Sequence, residues 1–171
     1  MEFFADLHIH SCLSPCGDDD MTPCNIGGMA KIKELDIIAV TDHNSARNLP
    51  AVQEVCDAYG LMLVPGMEIT TREEVHLLGY FPDVAAALDF SEMLRGHMPK
   101  AKNRPKYFGN QYVMNSDDEV IAEEDCLLMG ASDFSLYEAS QKVIAYGGVP
   151  VPAHINRGRH WATRRATWVR I

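Results

Sequence analysis

Histidines and carboxylates recur along this chain at ordered intervals: His8 and His10, Asp42 and His43, Glu68, His76 and His154. Each follows or closes an apolar run that reads as a strand, and in β/α folds the downstream strand ends carry the active face. His8 and His10 are two apart, so on a strand both rings project from one face, an orientation that Asp6 shares. Two such imidazoles can bind one ion or two neighbouring ions. A lone histidine is more often a hydrogen-bonded, half-buried ring, but recurrence at five strand ends favours metal. Glu68 follows Pro65-Gly66 in a strand rich in Leu, Met, Val and Ile. A carboxylate buried there needs a cation, and bridging two metal ions would supply one; the plainer alternative is a surface glutamate after a kinked strand. Asp42 points opposite to His43 on a regular strand, which suits orienting an imidazole or holding the turn.

The loop beyond the first pair holds Asp18, Asp19 and Asp20, either a solvated charge run or the source of one acidic ligand. Cys12, Cys16 and Cys24 share this loop without the C-x-x-C spacing of structural zinc sites. They read as free thiols, with Cys16 the one weighed as a ligand. His97, in a lysine-rich, proline-flanked helix end, reads as a surface residue.

What must position these groups is an alternation of strands and helices. Residues 3–10 form the first predicted strand; Thr22-Pro23 opens a helix over about 23–35, which hands over to IIAV at 37–40. A helix over about 49–59 stops at Gly60, and 61–70 and 75–81 are the third and fourth strands. Residues 84–98 are helix-periodic, while 112–114 and 119–122 flank Asn115-Ser116-Asp117-Asp118 as a hairpin. A helix over 133–146, with Asp133 as its candidate N-cap and Gly147-Gly148 as its stop, precedes a fifth strand at 149–155. This order predicts a parallel sheet or barrel.

The 171 residues, 47% hydrophobic and 23% charged, fit one globular domain and exclude disordered and collagen-like classes. No run approaches 18 uncharged apolar residues, and Glu2 and Asp6 stand where a signal peptide needs a basic start, so a cytoplasmic protein without a membrane partner is expected. Five cysteines, an odd count, fit reduced thiols. Residues 1–156 carry all 24 acids against 10 of the 15 Lys and Arg, a net −14, whereas 157–171 hold five Arg and no acid. Such an acidic body disfavours a large nucleic-acid docking face.

The segments DLHIHS (6–11), TDHNS (41–45), PGMEIT (65–70), VHLLGYF (75–81) and PAHINR (152–157) resemble, in order, the motifs of the PHP family, for polymerase and histidinol phosphatase. The resemblance implies an α/β fold, a distorted seven-stranded β/α barrel of the TIM-like kind, with two or three divalent metal ions (Zn, Mn or Fe). It implies His8, His10, His43, Glu68, His76 and His154 as ligands, Glu68 as the bridge, and Asp18 as the loop ligand, with Asp20 as the alternative. Family members close the site with a late Asp-x-His motif that is not found after His154. The expectation is therefore an incomplete barrel of about five strands over 1–157, shortened by truncation or frame-shift, with an atypical basic tail at 158–171 and a sheet edge open to self-association.

The expected activity is hydrolysis of a small phosphomonoester or nucleotide by metal-activated water, with Glu68, His43 and Asp42 as the catalytic set. Arg157 is the first candidate to hold the substrate phosphate, with Arg47 and Arg72 as further candidates. The alternatives are an exonuclease-like phosphodiesterase on short oligonucleotides and a catalytically inactive metal-binding fragment.

Overall fold

Ile37–Val40 (β2) is a continuous apolar run, and it forms the middle of the first sheet because strands cover both of its edges. Ala5–Ile9 (β1) pairs with it in parallel on one side, with an irregularity in register between Asp6 and Ile9. Met62–Leu63 (β3) pairs in parallel on the other. The computed structural model describes residues 2–154, a mixed α/β arrangement of open sheets.

The predicted third strand divides in two. Pro65 has no N–H to donate, so the ladder breaks there and resumes as Gly66–Thr70 (β4). Its register with the continuation of β2 survives the kink: Ile37 faces Met62, Ile38 faces Leu63 and His43 faces Glu68, a constant offset of 25 residues. The Glu68 N–H donates to the Asp42 carbonyl (3.0 Å) and the Asn44 N–H to the Glu68 carbonyl (2.9 Å), carrying the parallel pairing past β2. Gly66 is needed at the kink, since a Cβ there would lie 2.7 Å from Thr41 Cγ2.

The second sheet departs from the parallel expectation. His76–Tyr80 (β5) runs antiparallel to β4, and Val149–Pro152 (β8) runs antiparallel to β5. The link from Thr70 to His76 is too short for a crossover, which needs a dozen or more residues, so only a hairpin can form. It closes with the Thr71 N–H donating to the Val75 carbonyl at 2.9 Å. His76 therefore opens its strand rather than ending it, and Thr70 opposite brings it back beside the downstream end of β4.

The helices supply the cover. Pro23–Ile32 (α1) starts as expected at Thr22, whose hydroxyl accepts from the Asn25 N–H. Leu49–Tyr59 (α2) ends at a left-handed Gly60, φ 68°. Val84–Arg95 (α3) is capped by Asp83, and a short helix follows at Pro105–Phe108 (α4). Leu136–Ala145 (α5) begins later than predicted: Ser135 is the N-cap, in a capping box with Glu138, and Asp133 instead lies 2.9 Å from His97 Nδ1. His97, expected at the surface, is half-buried there, with its ring centroid 4.1 Å from that of Phe134. Ile38, Val40, Met67, Ile69, Leu77 and Phe90 form the centre of the main core, each worth about 1.5–3 kcal/mol when fully buried.

The predicted hairpin is present as Tyr112–Met114 (β6) and Val120–Glu123 (β7), a separate two-stranded sheet over a small core of Leu13, Val113 and Leu128. Asn48, fully buried, ties it to the loop after β1. Its Nδ2 donates to Ser11 Oγ (2.9 Å) and the Tyr112 carbonyl (3.1 Å), and its Oδ1 accepts from the Met114 N–H (2.9 Å). Asn48→Ala is expected to lower the unfolding free energy by about 2 kcal/mol, because it leaves buried donors and acceptors unmet. Urea denaturation showing a loss under about 0.5 kcal/mol would mean that the hairpin is held by other contacts.

Candidate metal centre

Glu68 stands in the middle of β4, where all five residues are buried, and its side chain is 1% exposed. Five imidazoles surround its carboxylate. Oε1 lies 3.3 Å from His8 Nε2, 3.0 Å from His76 Nδ1 and 3.1 Å from His154 Nε2. Oε2 lies 3.2 Å from His10 Nε2 and 3.4 Å from His43 Nδ1. The two oxygens thus face two different sets of nitrogens.

Each ring arrives by its own route. His8 is the penultimate residue of β1 and His10 the first beyond it; their Nε2 atoms are 3.2 Å apart, which places both on one face as the spacing implies. His43 follows the end of β2, and His76 comes from the antiparallel β5. His154 lies two residues beyond β8 with φ 40°, a left-handed conformation that costs a non-glycine residue about 1–3 kcal/mol. That turn stacks its ring on His8, with centroids 5.1 Å apart and planes 18° apart.

Asp42 is linked to the His10 ring through Ser14, a partner that spacing does not reveal. It is buried and accepts the Ser11 N–H (2.7 Å), the Ser11 hydroxyl (2.6 Å) and the Ser14 hydroxyl (2.7 Å). Burial pushes its carboxyl up, and these serine hydrogen bonds pull it back toward the ionised, accepting form. The Ser14 proton is then committed to Asp42, so the 3.1 Å contact between Ser14 Oγ and His10 Nδ1 must be donated by the ring. His10 is left presenting Nε2 to the Glu68 side. The Ser14 oxygen also accepts the His43 N–H at 3.0 Å, so one hydroxyl positions two rings. Ser11 and Ser14 lie in an irregular loop, where no periodicity could have marked them.

The electrostatics follow from this packing. Burial would raise Glu68, but hydrogen bonds from His10, His76 and His8 hold it well below the usual carboxylate range. Burial pushes His43 down to about 4, keeping it neutral at physiological pH. For His10, burial pulls downward, while the hydrogen bond to Glu68 and the charges of Asp42 and Glu68 raise it on balance.

The donor set fits a divalent transition metal. His43 Nδ1 is buried without a hydrogen-bond partner, and two imidazole nitrogens face each other at 3.2 Å, a contact that needs a shared proton or a cation between them. Ligand atoms of His8, Glu68 and His154, of His43, Glu68 and His76, and of His10, Cys16 and His43 each lie within 4.8 Å of one another. Neutral imidazole with carboxylate suits such ions.

The remaining candidates lie elsewhere. The Asp18 side chain accepts the Asp20 N–H at 3.0 Å, and neither aspartate joins these converging groups. Arg47 donates to Glu124 at 2.9 Å beside Arg95, in a cavity of about 610 Å³ that includes none of the five imidazoles in its lining. Arg72 is exposed and donates to the Asp133 carbonyl at 3.3 Å. Arg157 and the basic stretch 158–171 lie outside the described residues.

No family model matches the chain. An uncharacterized protein of Methanocaldococcus jannaschii is 35% identical over 85 residues, 45% of this chain and 49% of that protein. The 5'-3' exoribonuclease Rnm of Salmonella typhimurium is 34% identical over 85 residues, 47% of this chain and 28% of the enzyme. The matched stretches thus cover less than half of either relative. In fold, the chain is similar to a proposed metal-dependent phosphoesterase from Bifidobacterium adolescentis, with TM-score 0.64 and 19% identity over 96% of this chain and 72% of that one. It is also similar to endonuclease Q from Pyrococcus furiosus, with TM-score 0.61 and 19% identity over 91% of this chain and 35% of that one. The five segments that resemble PHP motifs meet, in three dimensions, on one carboxylate. Among the described residues, no helix is long and apolar enough to cross a membrane.

At this site, Ser14→Ala is expected to free the His10 ring and weaken metal binding by about 10–100-fold, the usual cost of losing an orienting partner. Competition against a chromophoric chelator measures it. An unchanged affinity would show that His10 is oriented without the serine.

Proposed function

We propose that the chain is a metal-dependent phosphoesterase that hydrolyses a small phosphomonoester or nucleotide. The division of the Glu68 oxygens between two sets of imidazoles carries this reading, because one carboxylate facing two donor sets suits a bridge between two ions. Divalent ions held there supply a Lewis acid for the phosphoryl oxygen and acidify a water toward neutrality.

The chain's own groups set the geometry. Glu68 holds a fixed negative charge between the two sets, and His8, His76 and His154 face one of its oxygens while His10 and His43 face the other. His43 stays neutral, so its nitrogen keeps a lone pair to offer. Asp42 and Ser14 hold His10 in the tautomer that presents Nε2, which makes Asp42 a positioning residue.

A second reading, phosphodiester cleavage of short oligonucleotides, draws support from the likeness to an exoribonuclease. The small-substrate reading is preferred because the body carries a net −14 over residues 1–156, with 10 Lys and Arg against 24 acids, and a strand of phosphates would be repelled.

Metal-loaded protein is expected to turn over a chromogenic phosphomonoester faster than a labelled short oligonucleotide; the reverse order would favour the nuclease reading. Less than a tenth of an equivalent of transition metal per chain after supplementation would sink both. Glu68→Gln is expected to weaken metal binding by more than about 100-fold, beyond the 10–100-fold typical of an orienting residue such as Asp42 in Asp42→Asn. Equal losses would show that Glu68 is not a bridge, and His97→Ala serves as the silent control.

A further inference from the structure

The loop after β1 is folded more tightly than an exposed aspartate-rich segment requires. The Ser14 N–H donates to the Ser11 carbonyl at 3.0 Å and the Gly17 N–H to the Ser14 carbonyl at 2.8 Å, giving two successive turns. A Cβ on Gly17 would lie 2.4 Å from the Ser11 carbonyl oxygen, so only glycine fits. On the other side the Pro15 carbonyl sits against Gly109, where a Cβ would come within 2.8 Å of it. The residue held between these two close approaches is Cys16.

Four of the five thiols have structural surroundings that account for them. Cys56 is packed in the main core, and Cys12 is buried with its thiol 3.5 Å from Met114 Sδ. Cys24 donates to the Ser116 carbonyl at 3.0 Å and Cys126 to the Pro99 carbonyl at 3.7 Å. Cys16 differs: its sulfur lies with ring nitrogens of His10 and His43, all three within 4.8 Å of one another. Two further features belong to the same two rings. His43, whose side chain is 8% exposed, has a buried ring nitrogen without a hydrogen-bond partner, and the contact of Ser14 with Nδ1 leaves Nε2 as the His10 nitrogen open to an ion. The acidic side chains of the same loop turn elsewhere, Asp18 to the Asp20 N–H and Asp19 to Asn110.

We propose that Cys16 is the loop's metal ligand, a thiolate completing a site with His10 and His43 on the Oε2 side of Glu68. The inference rests on the metal-binding reading above and narrows it. Two imidazoles and a thiolate form a borderline-soft donor set that takes zinc, cobalt or iron in preference to magnesium or manganese. On binding, the Cys16 S–H bond gives its proton to the solvent and a sulfur–metal bond forms, with no change of oxidation state.

The test is spectroscopic, on the full 171-residue chain. Zinc-loaded wild type examined by X-ray absorption is expected to show a sulfur shell at about 2.3 Å beside nitrogen and oxygen at about 2.0–2.1 Å. Cobalt-loaded wild type is expected to show thiolate-to-metal charge-transfer absorption. Both signals should vanish in Cys16→Ser and persist in Cys24→Ser, with one equivalent of metal bound at least about 10-fold more weakly in the former. Metal bound with a nitrogen and oxygen shell alone in wild type would overturn the Cys16 assignment while leaving the metal centre standing. Wild type that binds no metal would overturn both. The wild-type spectrum decides the matter even if a variant fails to fold.

Discussion

The structure depends on the burial of one carboxylate. Glu68 is 1% exposed inside a strand whose other residues are all buried, and an ionised group in that position is tolerated only with compensating charge and hydrogen bonds. Five imidazoles provide that compensation, and they come from five places in the chain. The Pro65 kink keeps β4 in register with the continuation of β2, so that His43 faces Glu68 directly. The short hairpin to β5 returns His76 to the same level. Beyond β8, a left-handed backbone at His154 turns the last ring inward. Strain at one residue and an interrupted strand are small costs beside leaving that carboxylate without partners.

A second buried carboxylate organises the first loop in the same manner. Asp42 gathers Ser11 and Ser14, Ser11 accepts from Asn48, and Asn48 reaches the hairpin at Tyr112 and Met114. One polar network therefore runs from the β6–β7 hairpin to the His10 ring. The excursion that interrupts the β/α alternation thus braces the loop that positions two of the five imidazoles, and Gln111 anchors its base by bonding the Glu124 and Cys126 carbonyls.

The donors were legible in the sequence because strand periodicity and residue type both report on them. His8 and His10 share a face by the two-residue rule, and Glu68 was conspicuous as a charge within an apolar run. Direction was less legible. Read as a downstream strand end, His76 opens an antiparallel strand, although the short segment between Thr70 and His76 already excluded a crossover. The cap of α5 shifted from Asp133 to Ser135 because Glu138, three residues on, completes a capping box. Ser14 and the placement of Cys16 were not legible, since they depend on turns in an irregular loop and on the absence of side chains at Gly17 and Gly109, which spacing does not encode.

Charge gives the centre a further physical consequence. With 24 acids against 10 Lys and Arg over residues 1–156, the body repels a phosphoester at long range. Among the described residues, the arginines weighed for the phosphate are engaged away from the centre: Arg47 and Arg95 converge on Glu124, and Arg72 lies along Asp133 and Glu138. On the proposed reading, cations held by the imidazoles themselves supply attraction that brings a phosphate to this surface. Substrate and metal are then linked partners: by whatever factor metal loading raises affinity for the phosphate, the phosphate raises affinity for the metal. An acidic protein can in this way act on an acidic substrate without a basic groove, since the charge that recognises the substrate is the charge that activates it.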